Sequence, residues 1–137
     1  MLEKVLLPID GSEHSMRAVE TVKELSHAGG GEVIVLHLRE REISRAGAYD
    51  LETPDEATDL VDRVVRDLKD AGVSARGEVR TTMFGNAARE ILAQAEAERV
   101  GLIVMGSRGL SDFGALLLGS VTHKVIHLAG CPVLVVR

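Results

Sequence analysis

The chain predicts an α/β fold in which repeated βαβ units lay five strands into a parallel sheet, with four helices on its faces. Short runs rich in Val, Ile and Leu alternate with longer stretches of helical spacing along all 137 residues, which is the pattern of βαβ units. Four of the five strand segments are apolar on both faces, as strands covered by helices on both sides should be. Apolar residues make up 45% of the chain and charged residues 27%, a globular composition that excludes a disordered chain, a collagen-like repeat and a coiled coil. At this length roughly two thirds of the unfolded surface can be buried, so a substantial core is possible.

The first strand is Val5 to Ile9, and Met16, Val19, Val22 and Leu25 then recur at helical spacing up to the breaker Gly29-Gly30-Gly31. Val33 to Leu38 is the second strand. The polar stretch Glu40 to Thr53, with its Arg39-Glu40-Arg41-Glu42 run, reads as a loop over the carboxyl edge of the sheet. From Asp55, the residues Ala57, Leu60, Val61, Val64, Val65, Leu68 and Ala71 mark an amphipathic helix that Gly72 stops. Val73 to Thr81 alternates apolar with polar residues, as a half-exposed edge strand does. Ala88, Ile91, Leu92 and Ala95 define the third helix, and Leu102 to Met105 the fourth strand. A last helix opens near Gly119-Ser120 and turns Val121, Val125, Leu128 and Ala129 inward before the fifth strand, Val133 to Val136. No linker or internal repeat interrupts this, so residues 1–137 read as one domain.

A net charge of −5, no basic run and 2% aromatic residues argue against nucleic acid, which needs cations for phosphate and rings for bases. No apolar run approaches the 18 or so residues of a membrane span, and Met1-Leu2-Glu3-Lys4 runs straight into the first strand without a leader pattern. Cys131 is the only cysteine, so an intrachain disulfide is ruled out and a cytoplasmic protein is expected.

Ligands of open parallel sheets bind past the carboxyl ends of the strands. After the first strand stands Pro8-Ile9-Asp10-Gly11-Ser12, with a carboxylate at the strand tip. After the fourth stands Met105-Gly106-Ser107-Arg108-Gly109, then nine residues, then Gly119-Ser120 opening a helix. Glycines let backbone approach a bulky ligand, and a helix start offers unpaired N–H groups and positive partial charge to an anion. Together they read as a cradle for phosphates or, more plainly, as helix stops and tight turns; neither G-x-x-x-x-G-K-[ST] nor G-x-G-x-x-G after the first strand is present.

The spacing G-x2-G-x9-G-[ST] over Gly106, Gly109, Gly119 and Ser120 resembles the ATP-binding signature of the universal stress protein family. Val5-Leu6-Leu7-Pro8-Ile9-Asp10-Gly11-Ser12 resembles the family's first strand, and Cys131-Pro132-Val133-Leu134-Val135-Val136 its last. Gly85-Asn86-Ala87-Ala88-Arg89-Glu90-Ile91 resembles its third helix start, with Asn86 where proline is usual. The resemblance implies a Rossmann-like three-layer sandwich with strand order 3-2-1-4-5, and a site for ATP and Mg2+. By position, Asp10 would meet the ribose. Pro8 and the backbone around Leu36 or His37 would line the adenine, and Met105 and Gly106 would cover base and ribose. Gly109, Gly119, Ser120 and Val121 would hold phosphates, with the Ser120 hydroxyl also meeting the metal. The implied protein is a nucleotide-dependent stress-response or signalling module that hydrolyses ATP slowly at most. It is also implied to be a homodimer, and the unbroken apolar edge Val133, Leu134, Val135 and Val136 invites pairing with a second copy. The competing readings are a dimeric interaction protein without nucleotide and a slow ATPase.

Each of these residues also has a plainer use. Asp10 and Ser12 are both good helix caps, and Cys131 is a small apolar filler before Pro132. His123 and His127, four apart, read as a solvated helix face rather than a metal pair. His14 and His37 are singletons, of which His37 is the candidate for the nucleotide wall. Arg108 is the one cation in the glycine loop, where it and Ser107, Ser111 and Asp112 meet either phosphate or water. Leu116, Leu117 and Leu118 read as packing of that loop onto the core or a partner.

Overall fold

The computed structural model of the chain describes residues 3–29, 31–109 and 118–137. Its elements run β1 (Lys4–Ile9), α1 (Glu13–Gly29), β2 (Glu32–Ser44), β3 (Gly47–Asp50), α2 (Pro54–Asp70), β4 (Ser74–Met83), α3 (Ala87–Ala97), β5 (Leu102–Gly106), α4 (Ser120–Leu128) and β6 (Val133–Val136). Ser111, Asp112, Leu116 and Leu117 lie outside the described residues.

Alternate side chains of the strands leave the sheet on opposite sides, and this divides the core in two. Val5, Leu7, Ile9, Val33 and Val35 pack with Ala18, Val19 and Val22 of α1 and with Val61, Val64 and Leu68 of α2. Leu6, Ile34, Leu36, Ile103 and Met105 pack on the other face with Ala88, Ile91 and Ala95 of α3 and Val125 of α4. The result is a three-layer α/β/α arrangement. No helix among the described residues is long and apolar enough to cross a membrane.

Parallel pairing joins β1 to β2, β1 to β5, β2 to β4 and β5 to β6. Two expectations are corrected by β3. The sheet has six strands rather than five, and its order is β3-β2-β1-β5-β6 with β4 paired to β2 instead of a simple 3-2-1-4-5 run. Glu40 to Thr53 is not a loop: β2 continues to Ser44 and turns into β3, which pairs with it antiparallel from Arg41 opposite Asp50 to Ser44 opposite Gly47. Charge pairing stabilises this polar hairpin, since Asp50 sits 2.7 Å from Arg39 and 2.9 Å from Arg41. Gly47, at φ +115°, takes a backbone conformation that side chains disfavour.

Two helix faces also differ from expectation. Met16 on α1 is 38% exposed and Leu128 on α4 is 69% exposed; the buried side chains of α4 are Thr122 and Val125. The third strand begins one residue later than expected and runs on to Met83. α2 follows its expected face, with Ala57, Val61, Val64 and Leu68 buried, and Thr53 caps it by accepting the Glu56 N–H.

Candidate functional site

Strand β1 ends at a turn that fixes Asp10. Ser12 caps α1, its hydroxyl accepting the Ser15 N–H at 3.2 Å and its carbonyl the Met16 N–H at 3.0 Å. Asp10 instead accepts the Ser12 N–H at 2.9 Å on Oδ1, so helix capping falls to Ser12 and Asp10 orders the turn before it.

The glycine loop is closed at its two described ends. The Ser107 N–H donates to the Val136 carbonyl at 2.7 Å, and the Gly119 N–H donates to the Ser107 carbonyl at 2.7 Å. Thr122 ties the first turn of α4 to β5 by donating its hydroxyl to the Gly106 carbonyl at 2.8 Å. The helix's own bonding starts with His123 N–H to Gly119. The N–H groups of Ser120, Val121 and Thr122 therefore precede the intrahelical ladder, and α4 starts without a side-chain cap.

Between these two features lies a cavity of about 300 Å³ at the carboxyl ends of β1, β2, β4 and β5. It gathers Pro8, Asp10, Leu36, Met105, Gly106, Arg108, Gly109, Ser120 and Val121, together with His37. Gly119 is not in its wall. The walls also include Ile9, Ser15, Leu38, Glu40, Leu51, Glu52, Phe84, Ala87, Ile91 and Thr122, none of which the sequence reading had picked as site residues. Applying the strand-end rule to the second and third strands, as well as the first and fourth, points to Leu38, Glu40 and Phe84. Leu51 and Glu52 enter only because β3 folds back.

The cavity is electrically divided. Arg108 and the start of α4 lie at one end, while Asp10, Glu40 and Glu52 bring carboxylates to the β1–β2 end. His37 is buried there, its Nδ1 2.8 Å from the Ile9 carbonyl and its Nε2 2.5 Å from Glu52 Oε1. A carbonyl only accepts, so Nδ1 carries the hydrogen. Burial pushes the Glu40 carboxyl above the ordinary value and the Asp10 charge adds to this, against a smaller opposing effect of His37. A carboxyl raised in the folded chain contributes most below its unfolded pKa and costs stability as pH rises through the folded value.

The remaining candidates fall elsewhere. His14 Nδ1 lies 3.0 Å from the Ser107 hydroxyl, a stitch between α1 and β5. His123 and His127 touch edge to face at a centroid separation of 4.5 Å, and no metal-binding cluster of three or more His, Cys, Asp or Glu side chains occurs among the described residues. Cys131 is half-buried and burial raises its thiol pKa, the opposite of what a reactive cysteine needs.

A cavity at the strand tips of a three-layer α/β sandwich, beside a glycine-bounded helix start, lies where open α/β sheets take their ligands. The chain belongs to the universal stress protein family, whose pattern matches residues 1–137. It is 36% identical over 137 residues to the universal stress protein in the QAH/OAS sulfhydrylase 3′ region of Thermus aquaticus, covering 100% of both chains. The solved structure of MJ0577, a universal stress protein of Methanocaldococcus jannaschii, is similar with a TM-score of 0.83 and 30% identity, over 99% of this chain and 96% of that one. The universal stress protein from Archaeoglobus fulgidus in complex with dAMP shares the fold, with a TM-score of 0.72 at 19% identity over 100% of this chain and 98% of that one.

Proposed function

We propose that this chain binds ATP in the strand-end cavity and acts as a nucleotide-dependent stress-response or signalling module. The observation that carries the reading is one continuous cavity lined by Asp10 at the tip of β1 and, past β5, by Arg108, Gly109 and the start of α4, which has no side-chain cap. An adenine nucleotide has that polarity: a flat base, a ribose rich in hydroxyl donors and an anionic tail. That a family member is known in complex with dAMP supports the same class of ligand. Pro8 and the backbone near Leu36 line the base, Met105 and Gly106 cover base and ribose, and Asp10 accepts from the ribose hydroxyls. Gly109, Ser120 and Val121 hold the phosphates with Arg108. Gly119, whose N–H is committed to Ser107, contributes by closing the loop. The Ser120 hydroxyl is a hard oxygen ligand of the kind Mg2+ takes alongside phosphate oxygens and water; bound Mg2+ would neutralise charge on the tail.

The reading is tested by titrating Asp10→Ala with ATP and with adenosine in one series. A hydrogen bond to a charged group is worth about 1.5–3 kcal/mol, so both affinities are expected to fall by about tenfold or more. Tighter triphosphate binding in the variant would place the carboxylate beside the phosphates and contradict the assignment.

The proposal extends to a homodimer through Val133, Leu134, Val135 and Val136, a strand whose described pairing is with β5 alone and whose Leu134 is exposed. Val135→Glu is expected to sediment as a monomer where the parent sediments as a dimer. A parent that is monomeric at tens of micromolar contradicts this interface.

A further inference from the structure

Two large apolar side chains stand exposed in the cavity wall, Leu51 at 52% and Phe84 at 58%. They follow different strands, β3 and β4, yet both backbones are fastened to neighbouring residues of β2. The Leu51 N–H donates to the Glu40 carbonyl at 3.3 Å and the Phe84 N–H to the Arg41 carbonyl at 2.8 Å. Successive carbonyls of a strand point to opposite edges, so Leu51 and Phe84 flank the strand on its two sides. Phe84 is held further by a tight turn: the Asn86 N–H donates to the Met83 carbonyl at 3.0 Å, and Gly85 takes φ +93°. Such a turn, with positive φ at its third residue, fixes the residue before the glycine in place.

Exposed apolar side chains on rigid backbone at the lip of a pocket lose no further backbone entropy when covered, and a flat aromatic ligand would remove their surface from water. The wall on this side adds the apolar Leu36, Leu38 and Ile91 beside the polar His37, Glu40 and Glu52, whereas Arg108 and the start of α4 line the cavity past β5. We infer that Phe84 and Leu51 are the jaws of a nucleobase clamp, with the Phe84 ring stacking on the base. This deepens the ATP reading and rests on it. The clamp recognises a π-face rather than a hydrogen-bonding edge, so it favours the larger purine over a pyrimidine.

The test uses the full chain, which contains no tryptophan. Phe84→Ala is expected to bind ATP about tenfold or more weakly than the parent, in the range of base-stacking losses, while binding inorganic triphosphate equally well. Phe84→Trp places a single indole at the clamp. Its fluorescence should be quenched by ATP, more weakly by UTP, and not at all by inorganic triphosphate. Thermal melts of both variants, at an exposed position, should match the parent. Unchanged ATP affinity in Phe84→Ala, or saturable ATP binding to Phe84→Trp without a fluorescence response, overturns the clamp and leaves the nucleotide reading standing. A parent chain that binds no ATP at all overturns both.

Discussion

Gly106→Ala is expected to cost about 3 kcal/mol of stability, at the upper end of what an overpacked core site loses, and to weaken the nucleotide site at the same time. A Cβ at this position would lie 2.7 Å from the backbone carbonyl carbon of His14 and 2.9 Å from both the His14 Cβ and the Ser15 nitrogen. Two of those three atoms belong to the backbone of α1, which cannot rotate aside. The start of the helix must move away from β5, pulling on the His14–Ser107 contact and on the turn that orders Asp10. Urea unfolding of the variant, with its slope compared to the parent, measures the loss. A variant as stable as the parent would mean that α1 yields freely there. Gly106 lines the cavity, and its missing side chain also lets α1 pack against β5.

Gly77→Ala is expected to be nearly as damaging, for a related reason under the second helix of the same layer. Its Cβ would stand 2.2 Å from Cγ1 of Val61 and 3.1 Å from Cγ2 of Val65, where α2 lies against β4. Val61 is buried, and a valine in a helix has one strongly preferred χ1, so it has no second rotamer to retreat to. A loss of about 3 kcal/mol corresponds to a fall in melting temperature of about 10 °C for a domain of this size. The obstruction is a side chain, which makes it removable. Val61→Ala alone leaves a cavity, but in the double variant the new methyl occupies part of that space. The two losses should therefore sum to clearly more than the double variant loses. Additive losses would show that the two sites do not meet.

The parallel strands were legible because burial on both faces forces them to be apolar throughout, and Val5 to Ile9 or Leu102 to Met105 has no other economical use. β3 was not legible, because its hairpin is held by Asp50 against Arg39 and Arg41, and a charged run reads the same whether it pairs across strands or faces water. The inward assignment of Leu128 failed for a different reason. Helical spacing identifies a stripe, but on the nine-residue α4 the buried side chains are Thr122 and Val125, with Ala129 packed beyond them, and Leu128 falls outside that stripe.

At the proposed site, glycine spacing alone brings Gly106, Gly109 and Ser120 to the cavity wall, because they are close in sequence and flank one strand end and one helix start. The base end is assembled from residues far apart, His37, Leu51, Glu52 and Phe84. They become neighbours only through the β2–β3 hairpin and the β2–β4 pairing, and no local pattern encodes either.

Calorimetric titration of the purified chain with ATP in the presence of magnesium, beside Gly109→Val, tests the central claim most directly. Gly109 lines the cavity beside Arg108 and Ser120, and a valine side chain there would take the space assigned to phosphate. Saturable one-to-one binding to the parent chain is expected, and none to the variant. An absence of saturable heat from the parent up to about 1 mM ATP, where binding is worth only about 4 kcal/mol, or equal affinity in both chains, would contradict it.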